Sequence, residues 1–74
     1  MKLKNIEIGM RLKVKKKQRE PCDARWYDES KGLIGTVIAI DDTGDPATVR
    51  LQFENGCAEW GTHKGLRKLK EGEE

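Results

Sequence analysis

Hydrophobic and polar residues alternate along much of this chain with a period of two. Met10, Leu12 and Val14 are interleaved with Arg11, Lys13 and Lys15, the pattern of a strand with one face in water, and predict a strand over residues 10–16. Residues 17–32 are polar, contain Pro21 and show no apolar period, so they read as a long loop with Trp26-Tyr27 in its middle. Leu33 to Ile40 is a short β-branched apolar run, bounded by Gly32 and by Asp41-Asp42-Thr43-Gly44-Asp45-Pro46. It predicts a central strand followed by a turn. Val49, Leu51 and Phe53 then alternate with Thr48, Arg50 and Gln52 in a second half-buried strand. Asn55-Gly56 is the strongest hairpin signal in the chain, because a type I′ turn needs positive φ at both central residues. A strand over residues 57–61 follows it. Thr62-His63-Lys64-Gly65 allows one helical turn, and Leu66-Arg67-Lys68-Leu69 a short last strand. No segment supports a helix of ten residues or more.

Five short strands, a long first loop, tight hairpins and a single helical turn before the last strand predict an all-β fold. A five-stranded barrel is the expected form, since closure removes the exposed edges of a flat sheet. Length bounds the picture: 74 residues make one domain, which buries only roughly 60% of the surface its unfolded form exposes. Residues 1–70 are read as that domain and Glu71-Gly72-Glu73-Glu74 as a solvated acidic tail. No apolar run approaches the ~20 residues that cross a bilayer. The opening Met-Lys-Leu-Lys, followed within three residues by Asn and Glu, does not read as a signal peptide, and none is expected. A soluble cytoplasmic protein with no membrane partner is the expectation.

The segments Ile8-Gly9-Met10-Arg11-Leu12-Lys13-Val14, Gly32-Leu33-Ile34-Gly35-Thr36-Val37-Ile38-Ala39-Ile40 and Val49-Arg50-Leu51-Gln52-Phe53-Glu54-Asn55-Gly56, with Trp60 and the closing Leu66-Arg67-Lys68-Leu69, carry a resemblance. Over about residues 8–70 the chain resembles the SH3-like barrels of the KOW, Tudor and MIB/HERC2 groups. It also looks like small barrels common among phage and prophage reading frames. The resemblance implies a binding module, and because such barrels take RNA, DNA, modified histone tails or peptides, it specifies the fold better than the partner. By the same resemblance, the loop before Gly32 is a candidate contact region, as in KOW domains. Conformationally, Gly32 lets the long loop turn in, and Gly35 suggests a bulge or a close backbone approach.

Charge adds a candidate surface. Fifteen Lys+Arg against thirteen Asp+Glu give only +2, too balanced by itself to imply nucleic acid. The distribution is segregated, however: residues 1–19 hold eight positives and one negative, and residues 20–62 three positives and nine negatives. Arg11, Lys13 and Lys15 share the outer face of the first strand, with Lys16, Lys17 and Arg19 at its end. Such a row can track a phosphate backbone, or it can be the solvated face of an edge strand whose lysines block aggregation. Trp26 and Tyr27 could stack a base or hold a cation, or one ring could fold back over the open end of a small barrel. Trp60 reads as core or rim. At the rim beside Trp26 and Tyr27 it would complete an apolar patch.

Other chemistry is thin. Cys22 and Cys57 are 35 positions apart and match no metal or redox spacing, which leaves either two thiols or one bridge. With His63 they make a poor zinc set, so no metal or other cofactor is expected. His63 reads as part of a turn that Thr62 caps. Cys57 and His63 lack the orienting group and cleft of a nucleophile and base. The reading is a non-catalytic module, not an enzyme, and without a small-molecule substrate. Nucleic acid, RNA or DNA, leads as its partner, through Arg11, Lys13, Lys15, Lys16, Lys17 and Arg19, with Trp26 or Tyr27 to stack. The alternative is protein or peptide recognition, with the phage-encoded effector of a host protein as one form of it. A peptide would lie in a groove between the long loop and the Asp41–Pro46 turn, lined by Asp23, Trp26, Tyr27, Asp28, Glu29, Asp41, Asp42, Asp45 and Trp60.

Overall fold

Each alternating segment forms a strand within two residues of its expected limits. A computed structural model describes residues 1–17, 26–44 and 47–73. The strands are β1 (Arg11–Val14), β2 (Ile34–Asp41), β3 (Thr48–Phe53), β4 (Ala58–Thr62) and β5 (Leu66–Lys68). They pair antiparallel in one sheet of order β4-β3-β2-β1-β5. Three single 3₁₀ turns complete the described structure: Leu3–Asn5, Asp28–Ser30 and His63–Gly65. The fold is therefore all-β. The helical turn expected before the last strand is the third of these, and Thr62 caps it by accepting the Lys64 N–H at 3.2 Å. The long first loop runs between β1 and β2 and contains the Asp28–Ser30 turn, an element its polar sequence does not announce.

The sheet curls but does not close. Five flat strands would hold β4 and β5 about 19 Å apart, at ~4.8 Å per neighbour. The three-residue connection between them spans at most about 14 Å. The sheet must therefore bend its two edges toward each other at that end. No ladder joins β4 to β5 among the described residues, so the expected hydrogen-bonded barrel is not completed. β1 correspondingly lies between β2 and β5. Its lysines are not the guard of an edge strand.

The concave face carries the core: Ile6, Leu12, Val14, Trp26, Val37, Val49, Leu51, Phe53 and Leu66. Gly35 faces inward among them, where a Cβ would sit 3.0 Å from Leu51 Cβ and from Phe53 Cδ1. Its role is close packing. The bulge lies further along β2, between Val37 and Ala39, where the register with β3 shifts and Ile38 is left 40% exposed.

Asn55-Gly56 does make the β3–β4 hairpin, with a different turn from the one expected. The Gly56 N–H donates to the Phe53 carbonyl at 3.1 Å, and only Gly56 has positive φ, at 90°. Asn55 instead uses its side chain, whose Oδ1 accepts the Cys57 N–H at 2.9 Å. The result is a three-residue loop with glycine in the left-handed position. The alternation of the flanking strands is preserved.

Candidate functional site

The basic row of β1 divides into two parts. Arg11 and Lys13 stand on the outer face, opposite Thr36 and Ile34 of β2, and Lys13 is also opposite Arg67 of β5. Both have carboxylate partners. Arg11 reaches across to Glu54 of the β3–β4 loop at 2.8 Å, and Lys13 Nζ donates to Glu73 Oε2 at 2.9 Å. Glu73 also accepts two N–H groups from the Arg67 guanidinium and the Lys70 backbone N–H at 2.7 Å. These donors, Arg67 first, then the Lys70 N–H, then Lys13, hold the Glu73 carboxyl far below the usual carboxylate range. In the segment read as a solvated acidic tail, Glu71 and Gly72 are exposed. Glu73 is drawn in, because two facing cations supply a better environment than water.

Beyond Val14 the chain leaves the sheet and meets the His63–Gly65 turn. The Lys15 N–H donates to the Gly65 carbonyl at 2.8 Å. The Met1 amino group donates to the His63 and Leu66 carbonyls at 3.3 and 3.2 Å, and the Met1 carbonyl lies 2.7 Å from His63 Nδ1. Burial, and then the charge of Lys15, lower the pKa of that amino group. Lys15 thus shares one end of the molecule with Lys64 and Lys2, and Lys16, next in the chain, lays its stem against Gly32. Lys16, Lys17, Lys64 and Lys2 form no ion pair among the described residues. Sequence reasoning missed Lys2 and Lys64, whose convergence depends on contacts more than 60 positions apart. Arg19 lies outside the described residues.

Of the two readings of the loop aromatics, the one in which a ring folds back holds for Trp26, and its roles in stacking and in a groove need correction. Trp26 is 2% exposed, lies edge-on to Phe53 at 6.1 Å between ring centroids, and donates its Nε1–H to the Thr62 carbonyl at 3.0 Å. It cannot stack a base or line a groove, because its ring is enclosed over β4 at Gly61. Tyr27, 69% exposed, remains on the surface. Trp60, 46% exposed, projects from β4 opposite Arg50, away from the core. Trp26 and Trp60 therefore lie on opposite faces of the sheet, and the three rings form no common patch.

The loop is anchored by a residue that sequence reasoning did not single out. Glu59 of β4 faces Leu51 and accepts the Tyr27 N–H at 3.0 Å through Oε1 and the Ser30 hydroxyl through Oε2. A glutamate at an inward-pointing strand position is the signal that was available. The acidic lining proposed for a peptide is dispersed. Asp28 pairs with Lys31 at 2.7 Å, and Glu29 is exposed beside it. Asp41 accepts the Thr43 hydroxyl and N–H, which lower its pKa in that order. Asp42 is exposed, and Asp23 and Asp45 lie outside the described residues.

Cys57 is a free, exposed thiol, and Cys22 lies outside the described residues. Cys57 and His63 flank opposite ends of β4, a separation of roughly 20 Å along an extended strand. They do not form a nucleophile–base pair. Among the described residues no group of three or more His, Cys, Asp or Glu is arranged to hold a metal ion, and no helix is long and apolar enough to cross a membrane. A depression of about 180 Å³, lined by Gly32, Leu33, Ile34, Phe53, Glu54 and Asn55, is smaller than the roughly 300 Å³ at which ligand pockets begin. No protein-family model matches the chain, and comparison with curated proteins and with solved structures finds no match either.

Proposed function

We propose that this chain is a non-catalytic module that binds the phosphate backbone of RNA or DNA. The observation that carries the reading is that Lys15 and the Met1–Lys2 end both meet the turn that holds Lys64, with Lys16 and Lys17 following Lys15 in the chain. Cations from three separate stretches meet there, and several of them have no carboxylate partner among the described residues. Such a surface neutralises phosphates and releases counterions. Among the described residues it carries no base-reading set of side chains, so binding is salt-dependent and poorly selective for sequence. Tyr27 is the exposed ring of the long loop that remains available for stacking. The implied SH3-like kinship is compatible with this role and contributes only the expectation of a binding module.

The test is an amide-resolved NMR titration with short single- and double-stranded RNA and DNA at two salt concentrations. Shifts should cluster on residues 2, 15–17 and 64 and shrink as salt rises. The double substitution Lys15→Glu, Lys16→Glu should abolish them. An unchanged affinity in that variant removes this site assignment. A protein partner is the second reading, favoured by Trp60 and Ile38, which are 46% and 40% exposed and point away from the core. Shifts on those two residues with a bound protein, and none with any oligonucleotide at low salt, would establish it instead.

A further inference from the structure

Lys13 and Arg67 are directly opposite one another on β1 and β5. Like charges in that relation destabilise a sheet unless an anion lies between them. The anion is Glu73, and the way it is held has the form of a ligand site. Arg67 engages both carboxylate oxygens in a fork, with Nη1 to Oε1 at 2.8 Å, and Lys13 Nζ closes on Oε2 at 2.9 Å. The Lys70 N–H adds a fourth donor at 2.7 Å. A guanidinium fork, an ammonium and a backbone N–H converging on one oxyanion are the donor set that recognises phosphate. The side chains of Lys13 and Arg67 are only 19% and 30% exposed, so the attraction is less screened than on an open surface.

The carboxylate is firmly held, but the backbone that carries it is fastened by a single turn. Glu73 follows Glu71 and Gly72, both exposed, in a tight turn closed by the Glu73 N–H to the Lys70 carbonyl at 3.0 Å. Unwinding that one turn withdraws the carboxylate without disturbing a strand. We propose that the Lys13–Arg67 pair is a phosphodiester-binding site, and that Glu73 occupies it as an internal competitor which a nucleic-acid strand displaces. This rests on the nucleic-acid reading above and extends its surface along β1 from Lys15 to Lys13.

The experiment measures binding of a short labelled single-stranded oligonucleotide across a salt series for the full chain and five variants. Glu73→Gln should bind at least about fivefold tighter, the usual lower range of a coupling between sites. Its plot of log affinity against log salt should keep the slope of the unaltered chain, because displacement sets the same two cations on phosphates in both, whereas removing Arg67 should flatten it by about 0.7 on a single strand. Glu71→Gln changes net charge equally but should move affinity less than about twofold, since surface charges at a distance are screened. Adding Arg67→Gln to Glu73→Gln should remove most of the gain. Glu73→Asp, too short to span both cations, should act in the same direction as Glu73→Gln. Equal effects of Glu71→Gln and Glu73→Gln, or none from either Glu73 variant, would overturn the site. If the oligonucleotide still binds and Lys15→Glu, Lys16→Glu abolishes that binding, the module reading stands while this inference falls. If neither the unaltered chain nor Glu73→Gln binds at low salt, both fall.

Discussion

Substituting Gly61 by alanine tests how the long loop is fastened to the sheet. Gly61 is buried on β4, and the Trp26 indole lies flat against it: a Cβ there would fall well inside contact distance of Trp26 Cε2 and Cδ2, and 2.8 Å from Cε3. A small rotation of the ring to absorb the methyl group is opposed by its edge contact with Phe53 and by the Nε1–H bond to Thr62. Local yielding would cost about 1–3 kcal/mol. Full expulsion of the ring approaches the ~3–5 kcal/mol of losing a buried large aromatic, plus about 1 kcal/mol for its hydrogen bond. We expect about 3 kcal/mol, against a total of roughly 4–11 kcal/mol for a chain this long. In urea, with a slope near 1 kcal/mol per molar, the midpoint should fall by about 3 M. A Trp60→Phe background makes Trp26 the one fluorescent indole, so its emission should shift to the red in the native baseline. The cycle with Trp26→Leu isolates the contact, and Gly61→Ala should cost far less once the indole is gone. A loss below about 0.5 kcal/mol with blue emission retained would refute the packing argument.

Three further outcomes follow from the same geometry. Glu59→Gln keeps only one acceptor for the Tyr27 N–H and the Ser30 hydroxyl, so amide exchange at Tyr27 should quicken while global stability falls by about 1 kcal/mol; unchanged exchange would show that Glu59 does not hold the loop. The Glu73 carboxyl is held below its unfolded value, so its contribution to stability is present above the ordinary carboxylate range and is lost as pH falls through it. Urea midpoints from about pH 7 to pH 3 should therefore drop less steeply in Glu73→Gln than in the unaltered chain, and parallel curves would contradict this. Gly56→Ala places a side chain at φ of 90° with no atom nearby to clash, so the loss should come from backbone strain alone, about 1 kcal/mol by urea midpoint.

The strands were legible because burial on one face of a curled sheet imposes a period of two, and Met10–Val14 and Thr48–Phe53 carry it in their own composition. The β3–β4 hairpin was legible for the same local reason, although Asn55 tolerates either turn and the hydrogen bonds select the one with Gly56 alone at positive φ. Trp26 was harder. A tryptophan in a polar loop gives no local sign that a buried glycine 35 positions later leaves it a seat. The candidate site was legible as a run of positive charge, but not as two groups of cations with different fates.

What the sequence determined by itself is local: alternation, turn residues and the segregation of charge, each expressed within a few neighbouring positions. The tertiary structure alone decided that β5 returns beside β1, setting Lys13 against Arg67 and drawing in Glu73, and that Lys15 meets Lys64 and Lys2 at one end. The physical reason is range. Side-chain alternation is set by the backbone geometry of consecutive residues, whereas the field at a cation depends on every charge within about a Debye length. Which charges those are is settled only when distant strands pair.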